Sequence, residues 1–245
     1  MALVAWWPFD EGTGTTAVDD QGDNDLSLTD PGWGTAGRLT FNGTSTRGEQ
    51  NPVDADVNLT TYSFASYVRM SDVTDTNHWF IELTDGDDAA LKYLWWNDTN
   101  QFGLGNDVLV GGFYTGTVYT DLTVSWTPTI NTDYHLAFTW DGTNAKFYVA
   151  GVQQGATQTP GTTPNATNTR IHVGRQGVNT ATPAFLTGQM WDTRIYSHAL
   201  TLAEVQSLAG VSGQSIDMWG PRLTVAERPI VAAVPSGMIP PNGGA

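Results

Sequence analysis

Two aromatic segments near the middle of the chain carry the residues best suited to bind a ligand. Trp95 and Trp96 are followed directly by an Asn-Asp pair at residues 97–98, and Tyr114 and Tyr119 come soon after them. A sugar needs an aromatic plane beside amide and carboxylate groups, and these segments supply both types. Adjacent residues on a regular strand point to opposite faces, so at least one of the two tryptophans is expected to point away from the core, and the sequence leaves its exposure open. The segments predict a sugar site, with core packing of these aromatics as the open alternative.

Side chains that could catalyse a reaction are sparse and scattered. Glu82 has no second glutamate on its predicted strand, although glycoside hydrolysis needs two carboxylates across the scissile bond. The 4 histidines are too far apart in sequence for a recognisable zinc motif, and no serine lies in a nucleophile elbow. The chain has no cysteine, which excludes thiolate metal ligands and a cysteine nucleophile. The sequence therefore favours a protein that is not an enzyme, with a glycosidase that uses Glu82 as an alternative.

The charge balance limits the classes of partner. The formal net charge is −15, from 10 lysine and arginine residues against 25 aspartate and glutamate residues. Such a chain cannot replace the counterions around phosphates, and an acidic surface is repelled by an anionic membrane. We therefore expect neither nucleic acid nor membrane as a partner. The N-terminus lacks the basic and apolar regions of a secretion signal, so we do not expect the general secretory route.

The spacing of apolar residues predicts strands along most of the chain. Residues 59–70 alternate between two faces with a period of two, which is typical of a half-buried strand. Asp141-Gly142 lies between two further runs of this kind and predicts a hairpin turn, since glycine adopts positive φ without strain. Similar runs occupy residues 78–83, 89–96, 119–126, 135–140, 145–150, 169–173 and 188–196. The chain is predicted to be all-β.

One short helix is predicted over residues 201–209. Thr201 and Glu204 have the spacing of a capping box, in which each side chain satisfies a free N–H group of the first turn. An apolar stripe follows, and Gly210 suits the left-handed position after a helix.

The pattern changes after Gly213, which we take as the end of a β-sandwich domain over residues 1–213. Residues 214–245 contain five prolines and no sustained alternation. Proline fixes φ and removes a donor from the sheet, so this segment is predicted to be an extended arm. The arm is expected to contact neighbouring subunits or to fold back on its own domain.

Several segments in order identify a family. Residues 6–15 read WWPFDEGTGT and residues 37–43 read GRLTFNG. Residues 134–142 read YHLAFTWDG, residues 146–151 read KFYVAG, and residues 188–196 read GQMWDTRIY just before the predicted helix. Together they resemble the laminin G-like jelly-roll family of the concanavalin A-like lectin/glucanase superfamily. The resemblance implies a two-sheet antiparallel jelly-roll sandwich, with the short helix and the arm at its C-terminal end.

The resemblance also implies a cation site. Relatives often hold a structural calcium ion where the first strand, an aromatic-Asp-Gly turn and the last long strand meet. The corresponding residues here are Asp10, Asn42-Gly43 and Asp192, with Asn42 in place of an acidic residue. The alternative is that Asp10 and Asp192 only hydrogen-bond N–H groups of turns. The glycosidases of the superfamily carry Glu, Asp and Glu on one strand, which the strand of Glu82 does not reproduce.

These features give two hypotheses about function. The first is a structural and adhesion protein of a large assembly, such as a capsid decoration or tail protein at the surface of a phage virion. In this hypothesis the jelly roll is displayed and the arm over residues 214–245 binds other subunits. The second is a soluble carbohydrate-binding lectin, extracellular in location, whose site uses Trp95 or Trp96.

Overall fold

The computed structural model of the chain describes residues 2–34, 37–74, 76–85, 89–165, 167–177 and 183–211. These residues form 16 strands, one α-helix and two short 3-10 turns at Ala55–Val57 and Gln101–Gly103. The α-helix, α1, spans Leu202–Leu208. The strands are β1 (Leu3–Trp7), β2 (Thr16–Ala17), β3 (Leu26–Thr29), β4 (Gly32–Trp33), β5 (Leu39–Asn42), β6 (Arg47–Gln50), β7 (Tyr62–Met70), β8 (Asn77–Thr84), β9 (Ala90–Asn97), β10 (Val108–Tyr114), β11 (Tyr119–Ser125), β12 (Asp133–Trp140), β13 (Ala145–Val149), β14 (Val152–Gln158), β15 (Arg170–Val173) and β16 (Thr187–Tyr196).

The strands form two antiparallel sheets. Sheet A has the order β14-β13-β12-β7-β16-β5-β4, with β1 paired to β16. Sheet B has the order β11-β10-β9-β8-β15-β6-β3-β2. One large cluster of buried apolar residues draws on both sheets and forms the core between them. The predicted all-β sandwich is therefore confirmed.

Alternation along β7 shows how the sequence places the core. Phe64, Val68 and Met70 share one face and are fully buried in the main cluster. Ala65 points to the opposite face, where it joins a smaller cluster under α1. Period-two patterning therefore predicts which face of this strand lies between the sheets.

The predicted helix is also confirmed and forms about two turns against the outer face of sheet A. The Thr201 hydroxyl accepts a hydrogen bond from the Glu204 backbone N–H, and the Glu204 carboxylate accepts one from the Thr201 N–H at 2.7 Å. Val205 is fully buried and packs with Tyr148 of β13. Gly210 follows the helix with a φ of 67°, which is the left-handed conformation that the sequence predicts for it.

The predicted arm, residues 214–245, lies outside the described residues, and its extended conformation stays a prediction. Within the part of the chain that the structure describes, no helix is long and apolar enough to cross a membrane.

Candidate functional site

The face of sheet B that points away from the core contains a cavity of about 410 Å³, which we call the sheet B cavity. Strands β8, β9 and β11 form its floor, and the loops next to them contribute its walls. A volume of this size is in the range of small-molecule sites. The lining residues are mostly aromatic and include two carboxylates: Trp79, Glu82, Ala89, Ala90, Tyr93, Trp95, Phe102, Tyr119, Asp121, Gln176 and Gly177.

A β-bulge in β8 brings two of these residues to the same face. Trp79 lies opposite Trp95 of β9, and Glu82 lies opposite Tyr93, so β8 has one more residue than β9 between the two pairs. Phe80 and the residue after it both point into the core. In a regular strand, residues three apart would face opposite sides. The bulge therefore allows Trp79 and Glu82 to line one cavity.

A stacked pair of tryptophans forms the apolar part of the cavity. The rings of Trp79 and Trp95 are parallel within 3°, with their centroids 4.8 Å apart. Both side chains are buried, and neither indole N–H has a hydrogen-bond partner among the described residues. A buried donor without a partner is energetically costly. The pair therefore contains two buried N–H groups without an acceptor among the described residues.

A strained loop places Phe102 beside this pair. Phe102 has a φ of 58°, which is uncommon for a bulky residue, and it is 66% exposed. Its ring meets Trp95 edge-on at a centroid distance of 6.3 Å. Asn97 holds the loop, since its amide donates to the Gly105 carbonyl at 2.7 Å and its Oδ1 accepts the Gln101 N–H at 3.1 Å. The sequence thus maintains an exposed aromatic ring at the edge of the cavity.

The polar part of the cavity depends on a glycine. Tyr93, Gly112 and Asp121 lie opposite one another on β9, β10 and β11. A Cβ at Gly112 would lie 2.3 Å from the Thr120 carbonyl oxygen and 2.8 Å from the Tyr93 hydroxyl oxygen. Without that atom, the Tyr93 ring crosses β10, and its hydroxyl donates to Asp121 Oδ1 at 2.6 Å. Burial raises the pKa of Asp121 above its usual value, and the hydrogen bond from Tyr93 offsets only part of this shift.

Glu82 is the second carboxylate of the cavity. Its side chain is almost fully buried, and its Oε2 accepts the backbone N–H of Gly177. On the next strand, β15, His172 lies opposite both Glu82 and Glu49. The His172 hydrogen bond is the largest cause that holds the pKa of Glu49 down to about 2. Arg175 Nη1 also contacts Glu49, at 3.0 Å.

The residues predicted as a sugar site divide between the cavity and the core. Trp95 lines the cavity, whereas Trp96 packs in the main core and donates its indole N–H to the Trp126 carbonyl at 3.1 Å. Neither tryptophan is exposed, because the outward-facing Trp95 is covered by its neighbours. Tyr119 lines the cavity and is 52% exposed. Tyr114 packs against Tyr119 at 4.8 Å and is not a lining residue.

Sequence reasoning missed five of the residues that matter here, and one of them, Phe102, lies on a loop whose position no strand pattern predicts. Tyr93 could have been predicted, because it lies two residues before Trp95 on the same strand and therefore faces the same side of the sheet. Trp79 could not have been predicted, since the bulge in β8 breaks the alternation of faces. Strand order brings Asp121 to the cavity, and the position of a loop brings Gln176 there. The local sequence predicts neither.

The predicted cation site consists of residues that already have other partners. Asp192 Oδ1 accepts the Trp6 indole N–H at 2.7 Å and contacts the Arg194 guanidinium at 2.7 Å. Asn42 Oδ1 accepts three backbone N–H groups of the turn that follows it. The carboxylate of Asp192 thus accepts hydrogen bonds from the side chains of Trp6 and Arg194, and a guanidinium in contact with it does not fit a bound cation.

No group of three or more potential His, Cys, Asp or Glu metal ligands occurs within the described ranges. Calcium binding at Asp10 and Asp192 stays a prediction.

Comparison with known proteins supports the fold. A laminin G family model, described as concanavalin A-like lectin/glucanases superfamily, matches residues 42–206. Trypanosoma rangeli sialidase in complex with sialic acid is similar to this chain with a TM-score of 0.62 and 15% identity, over 84% of this chain and 32% of that one. The botulinum neurotoxin serotype G binding domain is similar with a TM-score of 0.62 and 13% identity, over 86% of this chain and 51% of that one.

The serotype D/C VPI 5993 binding domain is similar with a TM-score of 0.64 and 10% identity, over 85% of this chain and 51% of that one. This chain thus spans about a third of the sialidase and about half of each binding-domain chain, and at such identities the likeness shows a shared fold. No curated protein matches the chain.

Proposed function

The chain belongs to the laminin G-like family of the concanavalin A-like lectin/glucanase superfamily, and on that premise we propose that it binds glycans in the sheet B cavity. The observation that carries the proposal is the composition of that cavity. It combines a stacked tryptophan pair, an exposed phenylalanine and tyrosine, and two carboxylates within about 410 Å³. Glycan binding would make the domain a lectin-like adhesion module.

Each group of the cavity suits a part of a sugar. The apolar faces of a pyranose ring stack on aromatic planes, of which Phe102 and Tyr119 are the most exposed here. Sugar hydroxyls donate hydrogen bonds to carboxylates such as Glu82 and Asp121, and they accept hydrogen bonds from indole N–H groups. Partly apolar lining with a few placed polar groups is the usual composition of a ligand site.

We propose binding without turnover, as the sequence predicts. A glycosidase is the second candidate, because Asp121 lines the same cavity as Glu82 and supplies the second carboxylate that the strand of Glu82 lacks. The two candidates differ in one measurement. A lectin leaves a bound oligosaccharide intact, whereas a glycosidase releases new reducing ends at a rate that Glu82→Gln abolishes.

The setting of the module comes from the sequence alone. Attachment of the domain to other subunits through residues 214–245, and a location on a virion surface, stay part of the proposal. The support for them is the acidic sandwich without cysteine and the Pro/Gly-rich C-terminal segment.

A glycan array tests the binding proposal. We expect the wild-type protein to bind a set of related glycans, and the double variant Phe102→Ala/Tyr119→Ala to lose at least 10-fold in affinity for all of them, since two stacking surfaces are removed. Both side chains are exposed, so the variant is expected to fold normally.

The matched control is Ile130→Ala, which truncates a side chain of similar exposure that does not line the cavity. It should bind like the wild type. Wild-type binding that the double variant retains in full would place the glycan elsewhere on the domain and contradict the proposal.

A further inference from the structure

The two exposed aromatic rings of the sheet B cavity belong to opposite ends of one strand. Phe102 is 66% exposed and Tyr119 is 52% exposed, and both residues line the cavity. Phe102 lies in the loop that leads from β9 into the start of β10, whereas Tyr119 begins β11, after the turn that follows the end of β10. The cavity therefore extends along β10 from one end towards the other.

Contacts with neighbouring rings fix the position of each of these two side chains along the strands. The Phe102 ring meets Trp95 at a centroid distance of 6.3 Å, and Trp95 lies opposite Val110 of β10. The Tyr119 ring packs against Tyr114 at 4.8 Å, and these two residues lie opposite each other on β11 and β10. The step from Val110 to Tyr114 corresponds to about 14 Å along an antiparallel strand. The two exposed rings are therefore held about that far apart.

No side chain of β10 separates the two ends of the cavity. The outward-facing residue between Val110 and Tyr114 is Gly112, and the Tyr93 ring lies across it, where a Cβ would be only 2.9 Å from Tyr93 Cε2. Asp121 lies opposite Gly112 and lines the cavity. A carboxylate accepts hydrogen bonds from hydroxyl groups. A chain of sugars that runs between the two rings would therefore pass an acceptor halfway.

One pyranose ring is too short to contact both Phe102 and Tyr119. Such a ring is no longer than two residues of a strand, about 7 Å, which is half of the separation between the two aromatic rings. Both stacking surfaces are used at once only by a glycan that has several sugars in a row.

From these observations we infer that the sheet B cavity binds a linear oligosaccharide, with one sugar on Phe102, another on Tyr119 and the chain between them along β10. The inference rests on the proposed glycan-binding function and names the ligand class of that same site, which is a run of several sugars and not a single terminal one. Each exposed ring forms a separate subsite, and high affinity requires both.

The length of the glycan is the variable that tests this inference. The probes are linear chains of two to five sugars: glucose linked β-1,4, β-1,3 or α-1,4, N-acetylglucosamine linked β-1,4, and any linear glycan that the array selects. In a series that binds, titration calorimetry should show an affinity for the wild type that rises at least 10-fold between two and four sugars, because only the longer probes reach both rings. The affinity should then level off at five sugars.

Single variants separate the two subsites. Phe102→Ala and Tyr119→Ala should each weaken binding of the four-sugar probe at least 5-fold and flatten the dependence on length. At least one of the two variants should leave the affinity for the two-sugar probe within 2-fold of the wild type, since that probe contacts one ring at a time. Ile130→Ala, outside the cavity, should keep the length dependence of the wild type.

Three results would overturn the inference. Equal affinity for two and four sugars, with binding that Phe102→Ala/Tyr119→Ala abolishes, would overturn it and leave the proposed function standing. A length dependence that both single variants keep unchanged would also overturn it, because the added sugars would then contact other residues. Failure of every probe to bind at millimolar concentration would overturn both the inference and the proposed function.

Discussion

Replacement of Trp79 by alanine should weaken binding of the glycan selected on the array by about 30-fold or more, which corresponds to roughly 2 kcal/mol. Trp79 provides the cavity with a ring that stacks on Trp95 at 4.8 Å and with an indole N–H that has no partner in the described structure. Buried aromatic residues in a desolvated pocket often carry a large share of the binding energy. Titration calorimetry at matched protein concentration measures the effect.

Two comparisons separate binding from folding. Trp79→Phe retains one aromatic ring and removes the N–H donor together with part of the indole, so we expect a smaller loss than for alanine, about 3- to 10-fold. The Trp79 side chain is only 3% exposed, so its replacement can also destabilise the fold. Thermal unfolding of each variant shows whether the sandwich is intact. A folded Trp79→Ala protein with unchanged affinity would exclude the sheet B cavity as the binding site.

The stability of the protein should increase with pH between 7 and 10 because of one buried lysine. Lys92 is fully buried, and its ammonium donates to the Asn165 carbonyl at 2.7 Å and to Asn168 Oδ1 at 3.0 Å. No carboxylate pairs with it within the described residues. Burial therefore lowers the pKa of Lys92 from 10.5 to about 7.

The sign of the effect follows from proton binding in the two states. Between pH 7 and 10 the unfolded chain keeps the proton on Lys92, whereas the folded protein has lost it. The unfolded state binds more protons, so the free energy of unfolding rises with pH. At about 1.4 kcal/mol per pH unit, and allowing for partial titration at both limits, the gain from pH 7 to pH 9.5 is about 3 kcal/mol.

Urea unfolding of the wild type and of Lys92→Met at pH 7 and pH 9.5 measures this gain. Lys92→Met should lack it, because methionine has a similar length and no proton to lose. Lys146→Met is the matched control, since Lys146 is the other lysine of the chain and is partly exposed on β13. It should follow the wild type. Equal pH dependence of the wild type and Lys92→Met would show that Lys92 keeps its proton in the folded state.

The fold was predictable from the sequence because its signals are local. Period-two alternation over residues 59–70 gave the core face of β7, and the capping box of Thr201 and Glu204 gave the start of α1. The opposite orientation of Trp95 and Trp96 also follows from alternation and is correct. Each of these features depends on residues within one turn or one strand.

The cavity was only partly predictable because it depends on how strands meet. The bulge at Phe80 reverses the alternation of β8, so Trp79 and Glu82 lie on the same face. In a regular strand they would lie on opposite faces. The hydrogen bond from Tyr93 to Asp121 crosses an intervening strand, and it exists because that strand has Gly112 at the crossing point. Both features depend on strand order and register, which the residues next to them in the sequence do not predict.

Nuclear magnetic resonance of the indole N–H groups tests most directly whether the sheet B cavity is the glycan site. The chain has 10 tryptophans, and single Trp→Phe variants assign their signals. On addition of the glycan selected on the array, the signals of Trp79 and Trp95 should shift in proportion to binding. The signal of Trp96, whose N–H is bonded to Trp126 in the core, should stay in place. Glycan binding that leaves Trp79 and Trp95 unchanged while other tryptophans shift would contradict the account.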